Sequence, residues 1–143
     1  MLFRSELLKK IKPHQVFCAG DFADPHGTHL VCFNIVMEAL KQCKTAKEPW
    51  INDCWLWLYK GAWQEWDITE IQMAVPMSPE QVLKKRFGIF IHQSQKDMVP
   101  FQGTDTREFW QRAEERNSHT ANLYGRLGLT QYAAMEAFVR WEY

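Results

Sequence analysis

The sequence predicts an α/β protein in which helices flank a partial sheet. Predicted strands and helices follow one another as β–loop–α–β–β–α, an order typical of layered α/β structures. The chain also opens on a helix that leads directly into a strand, whereas a complete doubly wound sheet would have further strands before this point. We therefore expect an α/β layered fold, truncated on its N-terminal side, with a single domain over residues 1–143.

Apolar spacing defines the first predicted elements. Apolar side chains at helical spacing predict a helix over Leu2–Ile11, which Pro13 ends. The short apolar run His14–Ala19 is typical of a buried strand. After a polar loop, Thr28 is expected to cap a helix that runs to about Lys44.

Turn and capping residues divide the rest of the chain. The run Cys54–Tyr59 predicts a strand, and the alternating segment Ile68–Val75 predicts another. Ser78-Pro79-Glu80-Gln81 has the pattern of a capping box with proline at the first helical position, and it predicts a helix to about Asp97.

A helical tail is predicted from about residue 105 to residue 141. Asp105-Thr106-Arg107-Glu108 resembles a capping box that opens a polar helix to about Leu127. Gly128 lies where a glycine commonly ends a helix, and apolar spacing predicts a final helix over Thr130–Trp141.

Composition excludes several classes of function. Apolar residues make up 46% of the sequence and seven residues are Trp, which indicates a packed globule. The 17 basic and 17 acidic residues leave no basic block for nucleic acid. No apolar run reaches the ~20 residues of a membrane span, no secretory leader is recognisable, and the four cysteines form no C-x-x-C pair. We therefore predict a cytoplasmic protein with reduced thiols that binds neither nucleic acid nor membranes.

The segment Asp24-Pro25-His26-Gly27-Thr28-His29 is the main candidate for a chemical site. It follows a predicted strand at its carboxyl end, where ligands bind in open α/β sheets. Two histidines three residues apart can face one site, where one can bind a metal ion and the other can act in acid–base catalysis or stabilise charge. From spacing alone, a structural role for the histidines is commoner. Asp21 and Asp24 either reach the same metal or cap the turn.

The segment Ala19–His29 resembles the downstream motif of PIG-L/LmbE-like deacetylases, which are zinc hydrolases that remove N-acetyl groups from glucosamine-containing substrates. In that family, the last histidine of a His-Pro-Asp-His-like element binds zinc and the first assists at the developing oxyanion. The resemblance implies that His29 is a zinc ligand and that His26 is a catalytic residue. Gly27-Thr28 depart from the Pro-Asp of the family's element.

Longer stretches resemble the tail of long bacterial glucosamine-6-phosphate deaminases (isomerases) that carry a PIG-L-like domain at their C-terminus. The resemblance covers about Ile11 to Trp141 and implies a Rossmann-like layered fold of the PIG-L/LmbE type. It also implies an amino-sugar substrate, with an upstream isomerase domain of the same polypeptide as a partner. His92-Gln93-Ser94-Gln95 resembles a late H-x-S-Q element of the family and implies that His92 lines the site. The alternative for His92 is a helix-end histidine bonded to backbone. The other matching segments are Tyr59–Trp66, Ala74–Ser78, Phe109–Asn117, Thr120-Ala121, Leu127–Leu129 and Glu136–Phe138.

The family's upstream Ala-His-Pro-Asp-Asp-like motif has no match among the five histidines of this sequence. That motif supplies two further zinc ligands and the general base. The resemblance therefore implies zinc in the intact parent domain, no tightly bound zinc in this fragment, and no activity of the fragment alone. The alternative is a non-catalytic module that binds sugar phosphate or mediates assembly.

The absence of strands upstream of the predicted strand His14–Ala19 would leave a sheet edge and apolar side chains exposed to solvent. We therefore expect a homodimer in which a second copy of the chain covers this edge. The alternative is that the helix Leu2–Ile11 seals the edge within one chain.

Charged and aromatic residues outside these motifs allow two interpretations each. Arg107, Arg112 and Arg116 either face a sugar phosphate or, as we favour, form a solvated network with nearby glutamates. The tryptophans either stack on a sugar or, as we favour, lie in a core or interface. The residues concerned are Glu108, Glu114 and Glu115 in the network, and Trp55, Trp57, Trp63 and Trp66 among the tryptophans.

Overall fold

The computed structural model describes residues 2–23, 27–62, 64–93 and 104–143. Within these residues the chain forms four α-helices and four strands, which confirms the predicted α/β class. The elements are α1 (Leu2–Ile11), β1 (Gln15–Ala19), α2 (Thr28–Thr45), a 3-10 turn (Pro49–Asp53), β2 (Trp55–Tyr59), β3 (Met73–Met77), α3 (Pro79–Ile91), α4 (Phe109–Arg126) and β4 (Ala134–Trp141).

The sheet is mixed and has the strand order β1-β2-β4-β3. β1 pairs with β2 in parallel, whereas β3 pairs with β4 antiparallel. The chain divides into two compact units, Met1–Tyr59 with Val139–Tyr143, and Lys60–Phe138. This architecture is compatible with a Rossmann-like layered fold. The PIG-L type, the N-terminal truncation and the single domain stay predictions.

The first unit has an apolar core between α2 and the parallel strands. α2 packs on α1 and on β1. Three successive residues of β2 are buried, and since successive strand residues point to opposite faces, both faces of β2 are covered. The buried residues of α2 are Phe33, Met37, Ala39, Leu40 and Cys43, and those of β2 are Leu56, Trp57 and Leu58.

The second unit buries a polar face of α4. This face combines small residues with long or hydrogen-bonding polar ones, and the first residues of β4 are buried in the same unit. Buried polar groups need hydrogen-bond partners, so this unit depends on specific pairing as well as on apolar burial. The buried residues of α4 are Arg112, Ala113, Asn117, Thr120 and Ala121, and those of β4 are Ala134, Met135 and Ala137.

The predicted final helix Thr130–Trp141 is wrong, because Ala134–Trp141 forms strand β4. Ala134 and Met135 are neighbours on opposite faces of the strand, and both are buried. A strand covered on both faces loses the alternation that identifies strands, and its apolar residues then also fit helical spacing. The helical part of the tail ends at Arg126, where Gly128 adopts φ +94° as predicted for a terminating glycine.

Several predicted boundaries also differ from the structure. Thr28 is the first residue of α2 and does not cap it, since Gly27 precedes the helix with φ 66°. The second predicted strand lies further along the chain, at Met73–Met77, and α3 ends at Ile91. The capping box of α4 uses Glu108 as its first residue and Gln111 as its reciprocal partner.

Ser78 caps α3 as predicted. Its hydroxyl accepts from the backbone N–H of Gln81 at 3.3 Å, and the Gln81 side chain accepts from the N–H of Ser78 at 2.8 Å. We expect Ser78→Ala to lower the free energy of unfolding by about 1 kcal/mol, measured by urea denaturation. Ser78→Asp retains a capping oxygen and should stay near wild type. Equal losses in both variants would contradict a capping role.

Candidate functional site

Asp21 and His29 lie in the segment between β1 and the first turn of α2, in the strand–loop–helix order that the sequence predicts. Asp21 is buried in the loop that leaves β1, and His29 is half-buried in the first turn of α2. Aromatic contacts tie this loop to the helix, since the Phe22 ring lies 4.6 Å from that of Phe33 on α2. Trp141 completes the cluster, with its ring centroid 5.3 Å from Phe33. These ring contacts hold the first residues of the loop against α2.

Two of the predicted site residues, Asp24 and His26, lie outside the described residues. Within the described ranges, no group of three His, Cys, Asp or Glu side chains is placed to hold a metal ion. Asp21 and His29 alone do not make a complete zinc site, which needs at least three protein ligands. Zinc at His29 and catalysis by His26 therefore stay predictions.

His92 directly follows α3, and its side chain is exposed. Its backbone N–H donates to the carbonyl of Ile89 at 3.0 Å, which closes the last turn of the helix. His92 belongs to the second unit and His29 to the first. A role for His92 in lining the site stays a prediction.

A buried cluster of charged residues in the second unit was missed by the sequence analysis. Arg116 on α4 is 7% exposed and bridges two carboxylates, with Nη1 3.1 Å from Glu65 and Nη2 bonded to Glu136 on β4. Lys85 of α3 also donates to Glu136 and, at 2.7 Å, to the side-chain oxygen of Asn117. Two cations thus face two carboxylates in a largely shielded cluster, in which the Lys85 side chain is 30% exposed and the charges balance.

Further hydrogen bonds fix these side chains in place. The Asn117 amide donates to the carbonyl of Met135 at 2.9 Å and to Glu136 at 3.3 Å. The Thr120 hydroxyl donates to Glu65 at 3.0 Å. The Glu65 carboxylate also accepts from the backbone N–H of Trp66 at 2.9 Å. The cluster therefore links α3, α4, β4 and the loop that carries Glu65.

The two carboxylates of the cluster differ in acidity. Burial raises the pKa of Glu65 above its ordinary value, and the single cation Arg116 offsets this only in part. Burial acts on Glu136 as well, but Arg116 and Lys85 together lower its pKa below the ordinary value. Both carboxylates share Arg116, and we attribute the difference to the second cation beside Glu136.

The predicted solvated arginine network is wrong for Arg112 and Arg116, whose side chains are only 3% and 7% exposed. Arg112 donates to the backbone carbonyls of Asp105 and Arg107 at 3.2 and 3.3 Å. The network prediction holds at the surface, where Arg107 pairs with Glu115. Glu114 does not belong to this surface network. Its carboxylate accepts two hydrogen bonds from Arg86 on α3, at 2.7 and 2.6 Å.

Two signals in the sequence point to this cluster. Small or short polar residues recur on one face of α4, at Ala113, Asn117, Thr120 and Ala121, which allows close packing of that face. Glu136 is a lone carboxylate between Met135 and Ala137, both of which are buried. A charged residue inside an apolar strand indicates a buried ion pair.

Comparison with known proteins gives a partial match. No family model matches the chain. A protein of Bacteroides thetaiotaomicron named "Putative glucosamine-6-phosphate deaminase-like protein" is 56% identical over 135 residues, which is 94% of this chain. The match spans 20% of that relative, so the chain corresponds to about a fifth of its length. In the described residues, no helix combines the length and the apolar character that crossing a bilayer requires.

Proposed function

We propose that this chain is the corresponding segment of a glucosamine-6-phosphate deaminase-like protein and takes part in amino-sugar phosphate metabolism in the cytoplasm. The observation that carries the proposal is the 56% identity over 94% of the chain to the relative of that name. We further propose that the first unit is the C-terminal part of a PIG-L/LmbE-like domain. The position of Asp21 and His29 after the carboxyl end of β1 supports this part of the proposal.

A metabolite measurement tests the proposed function. The gene that encodes this chain is deleted in its host, and sugar phosphates are quantified by mass spectrometry during growth on N-acetylglucosamine. We expect glucosamine 6-phosphate or its N-acetyl form to accumulate, and the intact gene to restore the normal level. Unchanged levels of both metabolites would overturn the proposal.

The 143-residue chain alone is expected to release no acetate from N-acetylglucosamine or its 6-phosphate. The sequence lacks the motif that supplies the general base and two zinc ligands in PIG-L/LmbE-like deacetylases. Acetate release is followed in a coupled assay with and without added zinc. Zinc-dependent turnover that disappears in His29→Ala would contradict this expectation and assign the chemistry to this chain.

We also propose that the chain forms a homodimer through β1. In the strand order, β1 lies at an edge of the sheet, and its Phe17 side chain is 49% exposed. An open strand edge with apolar side chains is a template for pairing with another chain. Light scattering should give twice the monomer mass of 17.0 kDa at micromolar concentration. Phe17→Lys should shift the protein to monomer, whereas Phe87→Lys, at an exposed position on α3, should not. A monomer at every concentration would refute the dimer.

A further inference from the structure

A cavity of ≈ 370 Å³ lies in the second unit beside the buried charge cluster. Its volume falls within the range of about 300–1000 Å³ that is usual for small-molecule sites. Almost all of its lining residues carry polar or charged side chains, which favours a polar ligand over an apolar one. The lining includes Glu65, Arg107, Arg112, Glu115, Arg116 and His119.

The inner part of this cavity is rigidly built. Arg112 is 3% exposed and is held by two backbone carbonyls. Arg116 is 7% exposed and is held by the carboxylates of Glu65 and Glu136. Side chains fixed in this way need no reordering when a ligand enters, which lowers the entropic cost of binding.

The outer part carries an exchangeable ion pair. Arg107 is 47% exposed and pairs with Glu115, which is 58% exposed. Arg107 also donates to both carboxylate oxygens of Asp105, from Nε at 3.0 Å and from Nη2 at 2.7 Å, so its Nη1 side faces Glu115. Exposed ion pairs of this kind are weak, so a ligand that carries one negative and one positive group can displace the contact between Arg107 and Glu115. A phosphate would take the place of Glu115 beside Arg107, because arginine binds phosphate with two parallel hydrogen bonds. An ammonium group would take the place of Arg107 beside Glu115.

We propose that this cavity binds an amino-sugar phosphate, with its phosphate on Arg107 and its ammonium group on Glu115. The cavity also presents the Gln64 amide, which can donate to and accept from sugar hydroxyl groups. The choice of an amino sugar rests on the proposed function, whereas the division into an anion position and a cation position rests on the geometry of the cavity.

The test is isothermal titration calorimetry of the 143-residue chain with glucosamine 6-phosphate, glucose 6-phosphate and inorganic phosphate. We expect wild type to bind glucosamine 6-phosphate about tenfold more tightly than glucose 6-phosphate. Arg107→Ala should weaken both sugar phosphates by about tenfold. Glu115→Gln should remove the preference, because the ammonium group loses its partner, and it should tighten glucose 6-phosphate, because its phosphate no longer competes with Glu115 for Arg107. Arg126→Ala, at an exposed position near the end of α4, is the matched control and should bind as wild type.

Unchanged affinity in Arg107→Ala, equal affinity of wild type for the two sugar phosphates, or binding of neither would each overturn the cavity proposal. If Arg107→Ala does not fold, amide chemical shifts in wild type decide the matter. Shifts centred on Gln64, Arg107 and His119 support the cavity, and shifts confined to other residues overturn it. These results are independent of the metabolite measurement, which decides the proposed function by itself.

Discussion

Replacing Arg116 by alanine is expected to lower the free energy of unfolding by about 3–5 kcal/mol. Arg116 bridges Glu65 and Glu136, whose side chains are 14% and 18% exposed. Without the guanidinium, two partly buried carboxylates face one another with Lys85 as the remaining cation in the cluster. Removing one partner of a buried ion pair costs more than the pair itself contributes, because the other charge stays desolvated. Guanidinium chloride denaturation at pH 7 measures the loss.

Two further measurements distinguish the loss of the charged cluster from the effect of removing any arginine of α4. Arg126→Ala removes an exposed arginine from the same helix and should change stability by less than about 0.5 kcal/mol. In Arg116→Ala the pKa of Glu65 should rise further, because the cation that opposes the effect of burial is gone. Carboxyl carbon NMR shifts follow this titration. If Arg116→Ala and Arg126→Ala are equally stable, the cluster does not stabilise the second unit.

Leu40→Ala is expected to lower the free energy of unfolding by about 2–5 kcal/mol. Leu40 is 0% exposed and lies on α2 among the buried residues of the first unit. Truncation removes buried apolar surface and leaves a cavity that the packed surroundings fill only in part. Thermal unfolding followed by circular dichroism measures the shift in midpoint.

The matched control for Leu40→Ala is Leu30→Ala on the same helix. Leu30 is 39% exposed, so its truncation removes less buried surface and should cost about 1 kcal/mol or less. Both substitutions give alanine at an α2 position and so change helix propensity equally. A loss in Leu30→Ala as large as that in Leu40→Ala would contradict the assignment of the core of the first unit.

Local sequence signals were sufficient to predict most of the helices and strands. The bounds of α1 agree with the predicted Leu2–Ile11, and α2 begins within one residue of the predicted start, since helical spacing and helix-ending residues act over a few neighbouring positions. β4 could not be predicted in the same way. Its burial on both faces depends on which strands lie beside it, and that pairing joins residues far apart in sequence.

The charged cluster shows why polar residues are harder to assign than apolar ones. Arg116 lies among acidic residues on α4, and neighbours at helical spacing normally pair on the surface. Its partners in the structure, Glu65 and Glu136, come from a loop and from β4, at distances in sequence that no periodicity reveals. The position of Asp21 and His29 was predictable, in contrast, because it depends only on the order of β1 and α2.

The pairing of the strands has a consequence for how fast the protein folds. Gln15 lies opposite Trp55, and Met73 lies opposite Phe138, so each of these pairings closes a loop of several tens of residues. Closing long loops loses chain entropy before the paired strands can compensate for it, which slows the search for the native topology. Helices form within microseconds, and the sheet should follow on a time scale of milliseconds to seconds. In stopped-flow refolding, helical circular dichroism should therefore return before tryptophan fluorescence, since Trp55 and Trp57 lie on β2.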